Sequence, residues 1–196
     1  MTTYADVQAL ILGDLHRDDL TTQVQTAMAN AVTELRMERL YFTEYQTSFT
    51  ATLTCNYAVD TVLPSLLEMD TIRVWDNGSP LRLSRVPWQD LADTDETLVT
   101  GTPSAWAVHH RMLRLYPTPD STCSIEVSGL KDLSLSAWCS YAPTLVRATA
   151  QIELYTLVLH DEQAAARAAA YAQREKAKLL RRLPSIASGG ELRPYL

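Results

Sequence analysis

Hydrophobic positions change their period twice along the chain. Tyr4, Val7, Ile11 and Leu15 recur at helical spacing and predict a short first helix. His16-Arg17-Asp18-Asp19 interrupts it, and Asp18 or Asp19 is placed to cap the next helix. Val24, Ala27, Met28, Ala31, Val32 and Leu35 then form one wide apolar stripe, predicting a second helix that runs to about Leu40. After Tyr45 the period becomes two. Phe49, Ala51, Leu53, Cys55 and Tyr57 alternate with Ser48, Thr50, Thr52, Thr54 and Asn56, as in a strand with one buried face. Ile72 and Val74, Asn77-Gly78, then Leu81 and Leu83 read as a hairpin with a tight turn. Pro87 opens a possible helical turn through Leu91. Trp106 with Val108, Leu113 with Leu115, and Ile125 with Val127 supply three more strands. Pro117-Thr118-Pro119-Asp120 turns between the last two. Helical spacing returns with Leu145, Ala148, Thr149, Ile152, Tyr155, Thr156 and Leu159. Asp161 breaks or caps it, and an Ala-rich helix follows to about Leu183.

The expected fold is α+β: a small α-helical bundle of two N-terminal and two C-terminal helices, with an inserted antiparallel β domain of about six strands. The boundaries fall at 1–44 for the N-terminal helices, 45–135 for the β insertion, 136–183 for the C-terminal helices and 184–196 for a docking tail. Ala164, Ala165, Ala168, Ala169 and Ala172 leave room for another helix to approach closely. Pro184 stops the last helix, Ser188-Gly189-Gly190 gives a joint, and Leu192, Arg193, Pro194, Tyr195 and Leu196 follow as potential anchors. Thirteen extended residues span on the order of 40 Å.

Composition narrows the function classes. The 196 residues are 46% hydrophobic and 20% charged, which excludes a disordered chain. No apolar run reaches the roughly 18 residues of a membrane span, and the first residues lack the order of a secretory signal. The net charge of -6 is uneven: residues 1–161 carry 10 Lys+Arg and 20 Asp+Glu, residues 162–196 carry 7 and 3. Arg174, Lys176, Lys178, Arg181 and Arg182 form a basic helix face. It suits either the negative end of the helix dipole or an acidic partner.

Candidate chemistry is sparse. Cys55, Cys123 and Cys139 are odd in number and without a C-x-x-C pair, which predicts buried or semi-buried thiols in a reducing cytoplasm rather than zinc or a disulfide framework. No glycine motif for nucleotides and no G-x-S-x-G elbow occurs. His109-His110 are adjacent on a strand and expected to face opposite ways, which argues against a shared metal. Glu34 and Glu38 lie one helical turn apart beside Arg36 and Arg39, as on a solvated mixed-charge face. Trp75, Trp88, Trp106 and Trp138 are spread along the sheet region in core or stacking roles. No catalytic, metal or cofactor site is expected.

The arrangement resembles the head-to-tail adaptor, or connector, proteins of tailed bacteriophages. Tyr4-Ala5-Asp6-Val7 followed by residues 18–40 is similar to that family's first and long second helices. Arg39-Leu40-Tyr41-Phe42 leading into Phe49-Thr50-Ala51-Thr52 is similar to its passage into the β region. Pro103-Ser104-Ala105-Trp106-Ala107-Val108 and Leu113-Arg114-Leu115-Tyr116-Pro117-Thr118-Pro119 are similar to strands of its members with a sizeable β domain, and a final helix pair with a tail completes the likeness. The resemblance implies a structural virion protein in the neck, assembled in the host cytoplasm. It implies a homo-oligomeric ring, commonly a dodecamer of 12 subunits, that binds the portal ring and extends the DNA channel for packaging and ejection. It also implies an attachment site for the tail through stopper or tail-tube proteins. Double-stranded DNA would pass without sequence-specific binding, and no membrane or cofactor is implied. Residues 184–196 would be the portal-docking tail. Two other readings remain. One is a wall-degrading peptidoglycan hydrolase using Glu34, Glu38 or Glu44. The other is a nucleic-acid-binding module using the basic C-terminal helix.

Overall fold

The computed structural model describes residues 2–76, 78–92 and 99–180. The chain is mixed α and β and divides into two compact units. One combines residues 1–43 with 133–196, and the other spans Glu44–Asp132.

In the helical unit, α1 (Tyr4–Leu15) starts at a capping box. Thr3 Oγ1 accepts the Asp6 N–H at 3.2 Å, and Asp6 Oδ2 accepts the Thr3 N–H at 2.7 Å. Those bonds, the backbone one foremost, hold the Asp6 carboxyl below its usual range. Val7, Ile11 and Leu15 are buried, and the helix ends at His16, whose φ of 52° is left-handed. Asp18 and Asp19 do not cap α2 (Thr21–Leu35) through their side chains. They form a single 3-10 turn with Leu20, and Asp19 is bound by Arg17 at 2.7 Å.

All six stripe residues of α2 are buried. The helix stops at Leu35, short of the expected Leu40, because the next residues close a tighter turn. Thr43, fully buried, accepts the Leu40 N–H at 2.8 Å through its hydroxyl, which also donates toward the Leu40 and Glu38 carbonyls. This satisfies backbone groups of the turn locally and lets Leu40 enter the core.

The C-terminal half contains a helix that periodicity did not predict, α5 (Leu135–Tyr141), capped by Ser134. Pro143 opens α6 (Pro143–Glu153), which continues as a π turn over Leu154–Val158. The wider turn shifts the apolar register, so Leu154 is buried whereas Thr156 faces solvent. Asp161 caps α7 (Glu162–Leu180), its Oδ1 accepting the Ala164 N–H at 2.9 Å. Ala164, Ala165, Ala168 and Ala172 are buried, and α7 lies against α6. The expected end of α7 near Leu183 lies outside the described residues. Asp14 on α1 accepts from Arg147 Nε at 2.7 Å and Gln151 Nε2 at 2.5 Å, and Asn30 on α2 donates to Glu153 at 2.9 Å, so both helices are tied to α6.

The β unit has eight named strands, not about six, in two four-stranded sheets. The strands are β1 (Glu44–Ala51), β2 (Asn56–Ala58), β3 (Leu66–Asp76), β4 (Ser79–Arg82), β5 (Ser84–Arg85), β6 (Ala105–His109), β7 (Met112–Tyr116) and β8 (Cys123–Lys131). One sheet has the order β1-β8-β3-β4 and is antiparallel throughout. The other has the order β2-β7-β6-β5, and its β5–β6 pair is parallel, a departure from the all-antiparallel expectation. The excess strands arise where the chain changes sheets. The single strand expected over residues 48–57 breaks at 52–55, where Leu53 is 70% exposed and Tyr57 Oη donates to the Thr52 carbonyl at 2.9 Å. The arm 79–85 likewise bends at Leu83, whose N–H still bonds Ile72 of the first sheet while Ser84 bonds Ser104. Helical turns α3 (Val59–Val62) and α4 (Trp88–Ala92) complete the unit. Gly78 of the expected Asn77-Gly78 turn has φ 82°, and Asn77 lies outside the described residues.

The unit's core contains Leu66, Met69, Ile72, Val74, Trp106, Leu113, Leu115, Ile125 and Val127. On the edge strand β4, Pro80 sits opposite Trp75, one pair beyond the Asp76–Ser79 pair that closes the hairpin. Alternation of hydrogen-bonded pairs turns its missing N–H toward the free edge, so β4 is blunted against pairing with a further strand.

The three thiols differ in access. Cys55 and Cys139 are buried, Cys123 is half-buried, and burial pushes the Cys139 thiol up to about 11. Alkylation at pH 8 by iodoacetamide is therefore expected to label Cys123 first and Cys139 only on unfolding, which peptide mass spectrometry reads directly. The sign for stability follows. A raised folded-state value favours the neutral thiol in the fold, so its contribution is intact below about pH 9 and declines as pH rises toward about 11.

Candidate assembly surfaces

The basic face expected on the last helix is partly consumed within the chain. Lys176 Nζ pairs with Glu38 Oε1 at 2.5 Å, joining α7 to the turn after α2, and Lys178 pairs with Glu175 at 2.5 Å. Both pairs are solvent-accessible and contribute no more than about 1 kcal/mol each. Arg174 is exposed and enters no ion pair among the described residues. Arg181 and Arg182 lie outside the described residues, as do Leu192, Arg193, Pro194, Tyr195 and Leu196.

The carboxylates considered for acid–base work are not gathered. Glu38 is held by Lys176, Glu34 is exposed on α2, and Glu44 begins β1 in the other unit. Two cavities in the β unit, about 190 and 390 Å³, share Arg85 and Trp106 in their walls and include none of these three carboxylates. Asp19, like Asp6, is held below its usual range, here by hydrogen bonds from Arg17; a general acid needs the opposite shift.

His109 and His110 do not face opposite ways. His110 and Arg111 adopt φ values of 46° and 62° in the β6–β7 turn, which carries His110 off the strand and brings the two rings to 4.0 Å. The Trp88 ring lies tilted against His109 at 5.5 Å, and Arg111 Nε bonds Asp60 at 2.8 Å. Among the described residues, no group of three His, Cys, Asp or Glu is arranged to hold a metal. The tryptophans separate by tertiary context. Trp106 is buried under Arg85 at 5.2 Å, and Trp75 is 41% exposed on β3. Trp138 belongs to α5 in the helical core, not to the sheet region.

Two features of the surface were not legible beforehand. The first is an aromatic patch where Phe42 stacks on Tyr141 at 5.3 Å and meets Tyr41 edge-on at 5.2 Å. The adjacent Tyr41-Phe42 pair was its sole sequence signal. The second is the location of the charge. The β unit carries 6 Lys+Arg and 12 Asp+Glu, whereas the helical unit carries 11 of each, so the whole net charge of -6 belongs to Glu44–Asp132.

Among the described residues, no helix is long and apolar enough to cross a membrane. No curated protein matches the chain. Its sequence matches the SU10 adaptor protein family over residues 2–193, through both the helical and the β unit, and the chain belongs to that family: a phage adaptor of structural role.

Proposed function

We propose that this adaptor is a non-enzymatic ring component of the virion neck that binds the portal, extends the DNA channel and presents the attachment site for the tail. The observation that carries the reading is the family match through residues 2–193, spanning both units. The helical parts 1–44 and 136–183 form the body of each subunit, 45–135 form its β insertion, and 184–196 dock on the portal. Ring closure needs two complementary faces per subunit, a heterologous contact that returns on itself, and 12 copies is the expected number. A β unit of charge -6 repels passing DNA wherever its carboxylates line the channel. Leu192, Tyr195 and Leu196 supply the apolar anchors of the tail.

The test is assembly on purified portal rings, imaged by electron microscopy, with the full chain and with residues 184–196 removed. The full chain is expected to decorate portal rings with a second ring. The shortened chain is expected to lose at least about tenfold in affinity, the effect of one strong anchor. Equal binding by both chains would refute the docking role of 184–196.

A further inference from the structure

The last described turn of α7 ends beside an uncovered aromatic surface. The Lys176–Glu38 pair places the end of α7 next to the turn that follows α2. That turn and the end of α5 present Met37, Tyr41 and Tyr141, which are 64%, 36% and 48% exposed. These rings are held rather than loose. Phe42 stacks on Tyr141, meets Tyr41 edge-on, and on its inner side meets the buried Trp138 edge-on at 5.2 Å. Rigid aromatic rings and an adaptable methionine are the composition favoured at binding surfaces. Leu180, the last described residue of α7, is itself 38% exposed.

We propose that residues 192–196 of the same chain cover this patch before the adaptor meets its partner. Eleven residues lie between Leu180 and Leu192. A stretch of that length reaches at most about 40 Å, enough to turn back across the last turns of α7. Leu192, Pro194, Tyr195 and Leu196 are the apolar and aromatic residues at its far end. A short tether gives an effective concentration on the order of mM, so a contact too weak to hold a free peptide is populated within one chain. The same residues are the anchors assigned to the portal. The patch would therefore act as an internal competitor that holds the tail until the portal displaces it. That consequence rests on the proposed portal docking, whereas the contact within the chain does not.

The experiment uses the full-length chain without portal, carrying a photoreactive benzophenone amino acid in place of Arg193. Heavy- and light-isotope chains are mixed equally before irradiation. The expected result is cross-linking within single chains to residues 36–42 and 135–142. Its yield should fall about tenfold in the Met37→Lys, Tyr141→Lys double variant and be retained in Tyr141→Phe. Both positions are exposed, and an unchanged circular dichroism spectrum verifies the fold of each variant. Links scattered over other surfaces, absence of links, or links mainly between heavy and light chains would each overturn the proposal. None of those results bears on portal binding, which the truncation measures separately.

Discussion

Gly129→Ala is expected to destabilise the β unit by about 3 kcal/mol or more, with Gly129→Val no milder. A Cβ at this position of β8 would collide with the carbonyl oxygen of Glu68, stand 2.9 Å from its carbon and 3.1 Å from the Met69 Cα. All three atoms are backbone, so no side-chain rotation relieves the overlap. The β3–β8 pairing shifts register between Leu66 and Glu68 and again between Met69 and Thr71, which presses β3 onto β8 at this point. Overpacking of a well-filled interior costs typically 1–3 kcal/mol and more where the backbone must move. Urea unfolding of the full chain measures the loss, and hydrogen exchange should localise it to residues 66–76 and 123–131. Gly13 provides the contrast. A Cβ there meets nothing within 4 Å, and alanine in the interior of α1 should gain about 0.5–1 kcal/mol. A Gly129→Ala protein as stable as the parent would show that the strands do not approach this closely.

Trp138→Ala should cost the helical unit about 3–5 kcal/mol, whereas Trp138→Phe should cost less than about 1.5 kcal/mol. The indole is 1% exposed and meets the Phe42 ring edge-on at 5.2 Å. Truncation removes that contact and leaves a large cavity in the core that also holds Val7, Ile11, Leu40 and Leu145. Phenylalanine retains the ring and also removes a liability. The Trp138 Nε1–H is buried with no acceptor among the described residues, and an unsatisfied buried donor costs about 1–3 kcal/mol. Equilibrium unfolding of both variants checks the difference. Equal losses would mean that a phenyl ring recovers none of the packing of the indole.

Helical periodicity was a reliable guide wherever one face of a helix meets one core. Val24, Ala27, Met28, Ala31, Val32 and Leu35 are buried as a set, and Asp161 caps α7 as its side chain suggests. Alternation misled at Leu53 because a strand pattern records only that faces alternate, not which sheet the chain is following. Once residues 52–55 leave the first sheet, position 53 no longer points into the core. The π turn at Leu154–Val158 misled in the same way, since one wider turn rotates every later residue. The histidine pair shows the limit for a candidate site. Their separation depends on the left-handed φ of His110, which is fixed by the turn rather than by residue type.

The sequence by itself determined the mixed α and β composition, the main helix stripes, the buried β segments and the acidic total, because periodicity and charge are local properties of the chain. Only the tertiary structure decided that the strands number eight in two sheets, that Gly129 is required by the backbone of β3, and that Lys176 is engaged by Glu38. It also decided that the net charge belongs to the β unit and that Tyr41, Phe42 and Tyr141 join in one patch. Each of these depends on residues far apart in the chain coming within a few ångströms, a relation that no local period encodes.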